Sequence, residues 1–470
     1  MIMKNSNFRE DLAAHGALSI VVQGGVFEGN VTDVANICAH WRTLFPQSEI
    51  ICSISSSDVF LSGGNPIGLT KKGQNNWSVG VALNKLQASC NKIVFAEAML
   101  PLPAIKLNDP PCNGNLQIAA ARKGLEVATG KYVLRMRNDA FFANDSFVDE
   151  YVDSLAYERR ENSFFESRVL ISDYFTLNPY GNYERLPFHF SDWFHFGLKV
   201  DVEKIWGAQY LTLQDITYYK SHCHVPGSTE NERRFFTRIA VEQHIIFECF
   251  RKNNSSIKLD YVNDLSSREG SIQILLDNFS ICDTKRCGLV FDKYRKVHEE
   301  HITRFKIITA SDFADLARNR DVNPEKLLRR TFAGLTAIGE NDFPKVFQYD
   351  WLHSKVGYRN SDGQIVLEHP MVNGVLVFGP FISLPIGDYA ADVYVTTLEG
   401  SKRGRVTLRA TLSHGRTHLA ERKIDVIDYA EEPMTILFSN SMKDAHDFEV
   451  VVEVEGVTEM AVEKIIIRKR

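Results

Sequence analysis

The chain has 470 residues, of which 44% are hydrophobic, 24% charged and 11% aromatic, which excludes wholesale disorder, collagen-like repeats and fibrous sequence. A formal net charge of −5 gives no overall basic field, so nucleic acid is not expected as a partner. No apolar run reaches the roughly 18 residues that span a bilayer, and Met1 to Asn7 lack the apolar stretch of a secretory signal, so the cytoplasm is the expected compartment.

Leu18-Ser19-Ile20-Val21-Val22-Gln23, closed by Gly24-Gly25, reads as a buried parallel strand. Val34, Cys38, Trp41 and Phe45 recur at helical spacing, with Asn30 or Thr32 able to cap the start and Pro46 forbidding continuation. Glu49–Ile54 reads as a second strand, running into the polar turn Ser55-Ser56-Ser57-Asp58, and Lys92–Phe95 as a third. A strand, helix, strand series implies a mostly parallel sheet with right-handed crossovers, whose ligands bind beyond the carboxyl ends of the strands. The glycines after Gln23 do not form GxGxxG, so nothing supports a Rossmann dinucleotide site.

Ile118, Ala121, Leu125 and Ala128 make the next helical stripe, with Gly130 as the left-handed residue that ends it. The strand that follows reads Tyr132-Val133-Leu134-Arg135-Met136-Arg137-Asn138-Asp139. Side chains alternate across a strand, so Tyr132, Leu134 and Met136 share one face and Arg135, Arg137 and Asp139 the other. Two guanidinium groups and a carboxylate are therefore expected to converge at the strand's exit. Arginine forks suit phosphate oxygens, and Mg²⁺ or Mn²⁺ is held by one or two carboxylates plus substrate phosphates. The trio reads as a nucleotide-diphosphate site with Asp139 as its metal ligand; the plainer reading is an exposed edge strand whose charges face water, against which stand the apolar Tyr132, Leu134 and Met136.

Between about 150 and 280 the sequence is mixed and rich in aromatics. Asp192 lies inside His189-Phe190-Ser191-Asp192-Trp193-Phe194-His195-Phe196, a cluster that can stack on a sugar ring while the carboxylate accepts hydroxyl hydrogen bonds. That makes His189, Trp193 and His195 acceptor-binding candidates; the plainer reading is an aromatic core. A helix pattern from about Phe235 to Lys252 aligns Glu242 with Phe235, Ile239, Ile246 and Cys249 or Phe250. A carboxylate in such an apolar stripe loses solvation and its pKa rises, which suits a general base, whereas the structural reading is a buried ion pair. Cys282 and Cys287 offer one metal half-site without a second pair at zinc spacing, and eight cysteines are too sparse for a disulfide scaffold. No GxSxG elbow, Walker A loop or HExxH occurs.

Residues 286–345 are charged with helical spacing and read as a connector between a domain over 1–285 and another over 346–470. In the latter, Tyr389, Ala391, Val393 and Val395 alternate with polar or smaller residues. Val406, Leu408, Ala410 and Leu412 do the same, as do Phe448, Val450, Val452 and Val454. With glycines between the runs, this indicates an antiparallel, jelly-roll-like β-sandwich.

Asn113-Gly114-Asn115-Leu116-Gln117, the helix into Gly130–Asp139, and Phe188–Lys199 together resemble the WavE lipopolysaccharide-synthesis family, over roughly residues 17–300. Gln23-Gly24 and Glu242-Gln243 fit as well. That family is similar to bacterial glycosyltransferases of GT-A type, whose strand-end Asp takes the place of a DxD motif. The resemblance implies a GT-A-like α/β domain in which Gln23, Asp58, Gln117, Arg135, Arg137 and Asp139 bind a nucleotide-sugar donor, Asp58 at its nucleoside. It makes Glu242 and Asp192 the catalytic candidates. Two positions depart from the pattern: Asn138 leaves one acid where DxD has two, and Leu116 stands where an Arg would flank Gln117. The implied activity is sugar transfer to a lipid-linked or oligosaccharide acceptor of lipopolysaccharide, O-antigen or capsule, with peripheral contact at the inner membrane face. The alternative is a non-catalytic glycan-binding protein with a decayed transferase domain, which the single acid of Asn138-Asp139 favours.

Overall fold

The apolar run Leu18–Gly24 (β1) is buried along almost its whole length in the interior of a seven-stranded sheet in the computed structural model. The other strands are β2 (Glu49–Ile54), β3 (Lys92–Phe95), β4 (Tyr132–Arg137), β6 (Val169–Ser172), β7 (Phe194–Leu198) and β8 (Phe279–Cys282), in the order β3-β2-β1-β4-β7-β6-β8. β5 (Phe141–Phe142) pairs with β9 (Leu289–Val290) outside it. The structure describes residues 5–26, 29–55, 84–107, 109–181, 184–229, 231–252, 254, 257–291, 293, 306–328, 343–348, 351–360, 362–396, 403–412, 415, 417–426, 433–442, 445 and 448–470. The chain divides into two units: Met1–His298 with Lys306–Arg329, and Glu299–Phe305 with Arg330–Arg470.

In the first unit β1, β2, β3 and β4 run parallel, as do β6 and β8, while β7 is antiparallel to both its neighbours. The carboxyl ends of six strands and the start of β7 therefore share one edge. Both faces of the sheet are covered. Tyr132, Leu134 and Met136 pack with Trp41, Phe142 and Phe147 on one side, and Val21, Ile51 and Val133 pack with Ile118, Leu125 and Trp206 on the other. Each fully buried side chain of this kind stabilises the fold by about 1.5–3 kcal/mol.

Helix Gly114–Val127 lies so close to the sheet that a Cβ on Gly124 would come within 2.4 Å of Val21 Cγ1. Gly130 serves a similar purpose, which corrects its expected role as a left-handed helix end. The helix stops at Val127 with Ala128 extended, Gly130 has no positive φ, and a Cβ there would meet the Ser19 nitrogen at 2.6 Å.

The expected connector does not stand apart as one piece. Helices Ala310–Arg318 and Pro324–Leu328 belong to the first unit, with Phe313, Leu316 and Leu328 in its core. No helix among the described residues is long and apolar enough to cross a membrane.

The second unit is all β. A six-stranded sheet has the order β11 (Gly357–Arg359), β12 (Ile365–Leu367), β19 (Ala461–Lys469), β14 (Gly387–Thr396), β17 (Met434–Asn440), with β10 (Lys345–Phe347) also on β19. A four-stranded sheet has the order β13 (Gly374–Ile382), β18 (Phe448–Glu455), β15 (Arg405–Leu412), β16 (Thr417–Asp425). Every pairing is antiparallel. The alternating apolar residues of β14, β15 and β18 meet in one core, as their period of two requires. An α/β unit with a mostly parallel sheet, followed by antiparallel sheets, is the fold class expected.

Candidate functional site

The edge that carries the site is built where β1 and β4 end side by side. Asn138, just past β4, donates from Nδ2 to the Gly25 carbonyl at 2.6 Å, and its backbone nitrogen donates to the Gln23 carbonyl at 2.9 Å. A Cβ on Gly24 would lie 2.2 Å from Asn138 Oδ1, so only glycine lets the two turns meet. The residue that breaks the two-acid pattern thus has a job of its own: it ties the exits of the two strands together.

Arg135 does not reach this exit, which corrects its expected contact with donor phosphate. It is fully buried, one strand step of about 6.6–6.8 Å before Arg137. Nε donates to Gln23 Oε1 at 2.6 Å, Nη1 donates to the Asp192 carbonyl, and the guanidinium lies 3.9 Å from the Trp206 ring centroid. Burial pulls its pKa down to about 9. Gln23 is corrected with it: only 2% exposed, it serves the buried cation rather than a ligand. His195, opposite Arg135 in β7, is also buried, and accepts from Trp206 Nε1 at 3.3 Å. Burial and then the charge on Arg135 hold it well below the ordinary histidine range, so it is a neutral core residue and not an acceptor contact.

Arg137 and Asp139 do stand at the exit. They form a two-pronged pair, Nε to Oδ1 and Nη2 to Oδ2, each 2.9 Å, and the guanidinium lies 5.0 Å from the Phe291 ring centroid. The Asp139 side chain is 42% exposed. The Arg137 nitrogen donates to the Trp193 carbonyl at 3.3 Å, which brings the start of β7 alongside. There Asp192 is 7% exposed, and its carboxylate has no hydrogen-bond partner among the described residues. Trp193 is 3% exposed, stacked on Tyr174 and edge-on to Phe291, so the plainer reading of the aromatic cluster holds for it and no sugar can stack there.

His189 and Glu242 come together as sequence spacing did not anticipate. Helix Val241–Arg251 begins too late to include Phe235 and Ile239, so of the apolar stripe expected around Glu242 only the half that follows it, Ile246 with Cys249 and Phe250, is formed and buried. Its side chain is 27% exposed, in the helix's first turn, with Oε2 3.4 Å from His189 Nε2. His189 Nδ1 is 2.9 Å from the Phe175 carbonyl. A carbonyl only accepts, so Nδ1 carries a proton and a neutral ring turns the Nε2 lone pair toward Glu242. The contact is attractive only when a proton sits between them. Phe175 and Phe188 flank this imidazole at φ 59° and 60°, a conformation that costs bulky residues roughly 1–3 kcal/mol each. Gln243 helps hold it: Nε2 donates to the Pro187 and Val262 carbonyls at 2.7 and 2.8 Å. Burial, with the Glu242 charge adding to it, pushes the Cys112 thiol up, which puts Glu242 beside the start of helix Gly114–Val127. Gln117, in the first turn of that helix, is half-buried and makes no side-chain hydrogen bond among the described residues. Asp58 lies outside the described residues.

Sequence reasoning missed Asp173, which follows β6 at the same edge. It is 6% exposed, accepting from Thr284 Oγ1 at 2.8 Å and the Tyr174 nitrogen at 2.9 Å. Burial raises its pKa from 3.8 to about 7. The folded state thus binds the proton more tightly than the unfolded chain. That stability is complete below pH 3.8 and is lost as pH rises toward 7. Asp173→Asn keeps an acceptor for both donors and removes the charge. Its melting temperature should match wild type near pH 4 and exceed it above pH 7, where the gain in stability is on the order of 4 kcal/mol. A pH series of thermal melts with parallel curves would refute this.

The residues at the β4 exit do not fit a protein-held divalent cation. Asp139 supplies one carboxylate, both of whose oxygens face Arg137. The group of possible metal ligands found together among the described residues is elsewhere: Glu150 with the buried Cys282 and Cys287, ligand atoms within 4.8 Å of one another.

Residues 105–334 match the family model described as WavE lipopolysaccharide synthesis, in agreement with the resemblance read from the sequence. No curated protein matches the chain. Among solved structures, it is similar to the C-terminal CBM6 of LamC from Zobellia galactanivorans (15% identity, 27% of this chain and 98% of that one, TM-score 0.19). It is also similar to the carbohydrate-binding module CBM6cm-2 of lichenase 5A from Cellvibrio mixtus (14%, 27% and 97%, 0.20). A third similarity is to the glycosylation-associated Gap123 complex from Streptococcus agalactiae (13%, 34% and 32%, 0.21).

Proposed function

We propose, starting from the match of residues 105–334 to a lipopolysaccharide-synthesis family, that the first unit is a GT-A-like glycosyltransferase. It moves a sugar from a nucleotide-activated donor to a lipid-linked or oligosaccharide acceptor of a bacterial surface glycan, working in the cytoplasm at the inner membrane face. The observation that carries the reading is the gathering at one sheet edge of a fixed cation, Arg137 on Asp139, a carboxylate without a hydrogen-bond partner among the described residues, Asp192, and the facing pair His189 and Glu242. Open sheets of this kind bind ligands at that edge.

In sugar transfer the anomeric carbon gains positive character while negative charge builds on the departing phosphate. Arg137, its fork aligned by Asp139 and backed by Phe291, stabilises that charge without reorganising. Asp192 accepts sugar hydroxyls, and Gln117 supplies an amide to the donor. Glu242 takes the acceptor proton and passes it toward His189 Nε2.

A thermal-shift screen of nucleotide sugars, with and without Mn²⁺, tests this. One nucleotide class should stabilise the protein by about 2.7 kcal/mol at a hundred times its Kd, and to the same extent without Mn²⁺. Stabilisation by free glycan alone, with every nucleotide sugar inert, would instead favour the binding-protein reading.

A further inference from the structure

Four residues of the second unit stand in register across neighbouring strands. Tyr358 on β11 faces Val366 on β12, Val366 faces Ala461 on β19, and Ala461 faces Thr396 on β14. Partners in register project to the same side of a sheet, and here it is the outer side. Tyr358 is 45% exposed, while Ile365, Leu367 and Val462, which point the other way, lie in the core. The small side chain of Ala461 between Val366 and Thr396 leaves a trough, and a cavity of about 460 Å³ lies over it. That is within the roughly 300–1,000 Å³ of small-ligand sites.

Asn360, Gln364 and Glu368 rim the cavity, each two residues from a member of the row and so on the same face. Asn360 Nδ2 donates to Gln364 Oε1 at 3.0 Å, which orients the second amide and leaves its Nε2 to face outward. Among the described residues, Gln364 Nε2, the Glu368 carboxylate and the Tyr358 hydroxyl engage no other group. An aromatic face, an amide donor and a carboxylate acceptor around a shallow trough match the alternating C–H faces and vicinal hydroxyls of a sugar chain. Glu368 and Glu459 on the rim disfavour an anionic chain. The groups on offer are outward side chains rather than strand-edge amides, so an extended peptide is the poorer match.

We propose that this trough is a binding site for a neutral oligosaccharide, with Tyr358 as its stacking wall and Gln364 and Glu368 as its hydroxyl contacts. The site does not depend on transfer chemistry in the first unit. The test uses the full chain on an array of glucose, galactose and mannose hexaoses and their uronate or sulfated counterparts. Wild type and Asp139→Asn should both hold neutral chains, whereas Tyr358→Ala should bind about tenfold more weakly and Glu368→Gln also more weakly, with melting temperatures unchanged. Retention of anionic chains alone, no retention of any neutral chain, or wild-type binding by Tyr358→Ala would each overturn it. A loss of donor binding in the first unit would leave the result untouched.

Discussion

Asp139→Asn is expected to lower turnover by about 10²–10³-fold while the protein melts within about 1 kcal/mol of wild type. The two halves of that expectation have separate causes. As an ion pair near solvent, Arg137–Asp139 contributes little to folding: the carboxylate side chain is 42% exposed and the guanidinium 20%. As a positioning device it matters more, because both guanidinium nitrogens that face Asp139 are 2.9 Å from an oxygen, and this fixes where the fork points. An amide keeps the shape but accepts on one side only, so the fork loses half its anchorage at the moment charge builds on the leaving phosphate. Donor affinity should change less than kcat, because Arg137 keeps its charge. Steady-state kinetics with the donor found by the thermal screen will separate the two. Turnover at the wild-type rate in Asp139→Asn would remove the exit of β4 from the mechanism.

The strands were legible because their signals are local. Glu49–Ile54 and Lys92–Phe95 were read to the residue, and the sandwich strands announced themselves by strict alternation. What alternation cannot supply is depth. It placed Arg135 and Arg137 on one side of β4, which ends before Asp139, but not that helix Lys199–Trp206 covers the first part of that side and seals Arg135 beneath Trp206. An arginine one step further along the same strand meets solvent. Glu242 failed for a related reason: a 3.6-residue period drawn through Phe235 and Ile239 extends the helix backward through residues that are not helical. Its pairing with His189 joins residues 53 positions apart, through a loop held by Gln243 that no periodicity describes. Asp173 carries no motif at all. Its raised pKa comes from burial, against which a hydrogen bond from Thr284, more than a hundred residues away, pulls only part of the way back.

Glu242→Gln should reduce kcat by about 10²–10⁴-fold, the usual contribution of a general base, with donor affinity nearly unchanged. In wild type the Nε2 lone pair of His189 faces the Glu242 carboxylate across 3.4 Å, because Nδ1 is committed to the Phe175 carbonyl. A carboxylate in that arrangement can take the acceptor's proton and relay part of the charge to the ring. A glutamine in its place can donate to Nε2 and satisfy the imidazole, so the loop keeps its form while the proton acceptor is lost. His189→Gln provides the control. It removes the relay but leaves the carboxylate, and should cost less than Glu242→Gln. If His189→Gln is the more damaging of the two, with both proteins folded, the imidazole itself is the base and Glu242 its positioning residue. If neither lowers kcat, proton removal passes to Asp192, whose carboxylate at the start of β7 has no hydrogen-bond partner among the described residues. Asp192→Asn should then carry the loss that the other two did not.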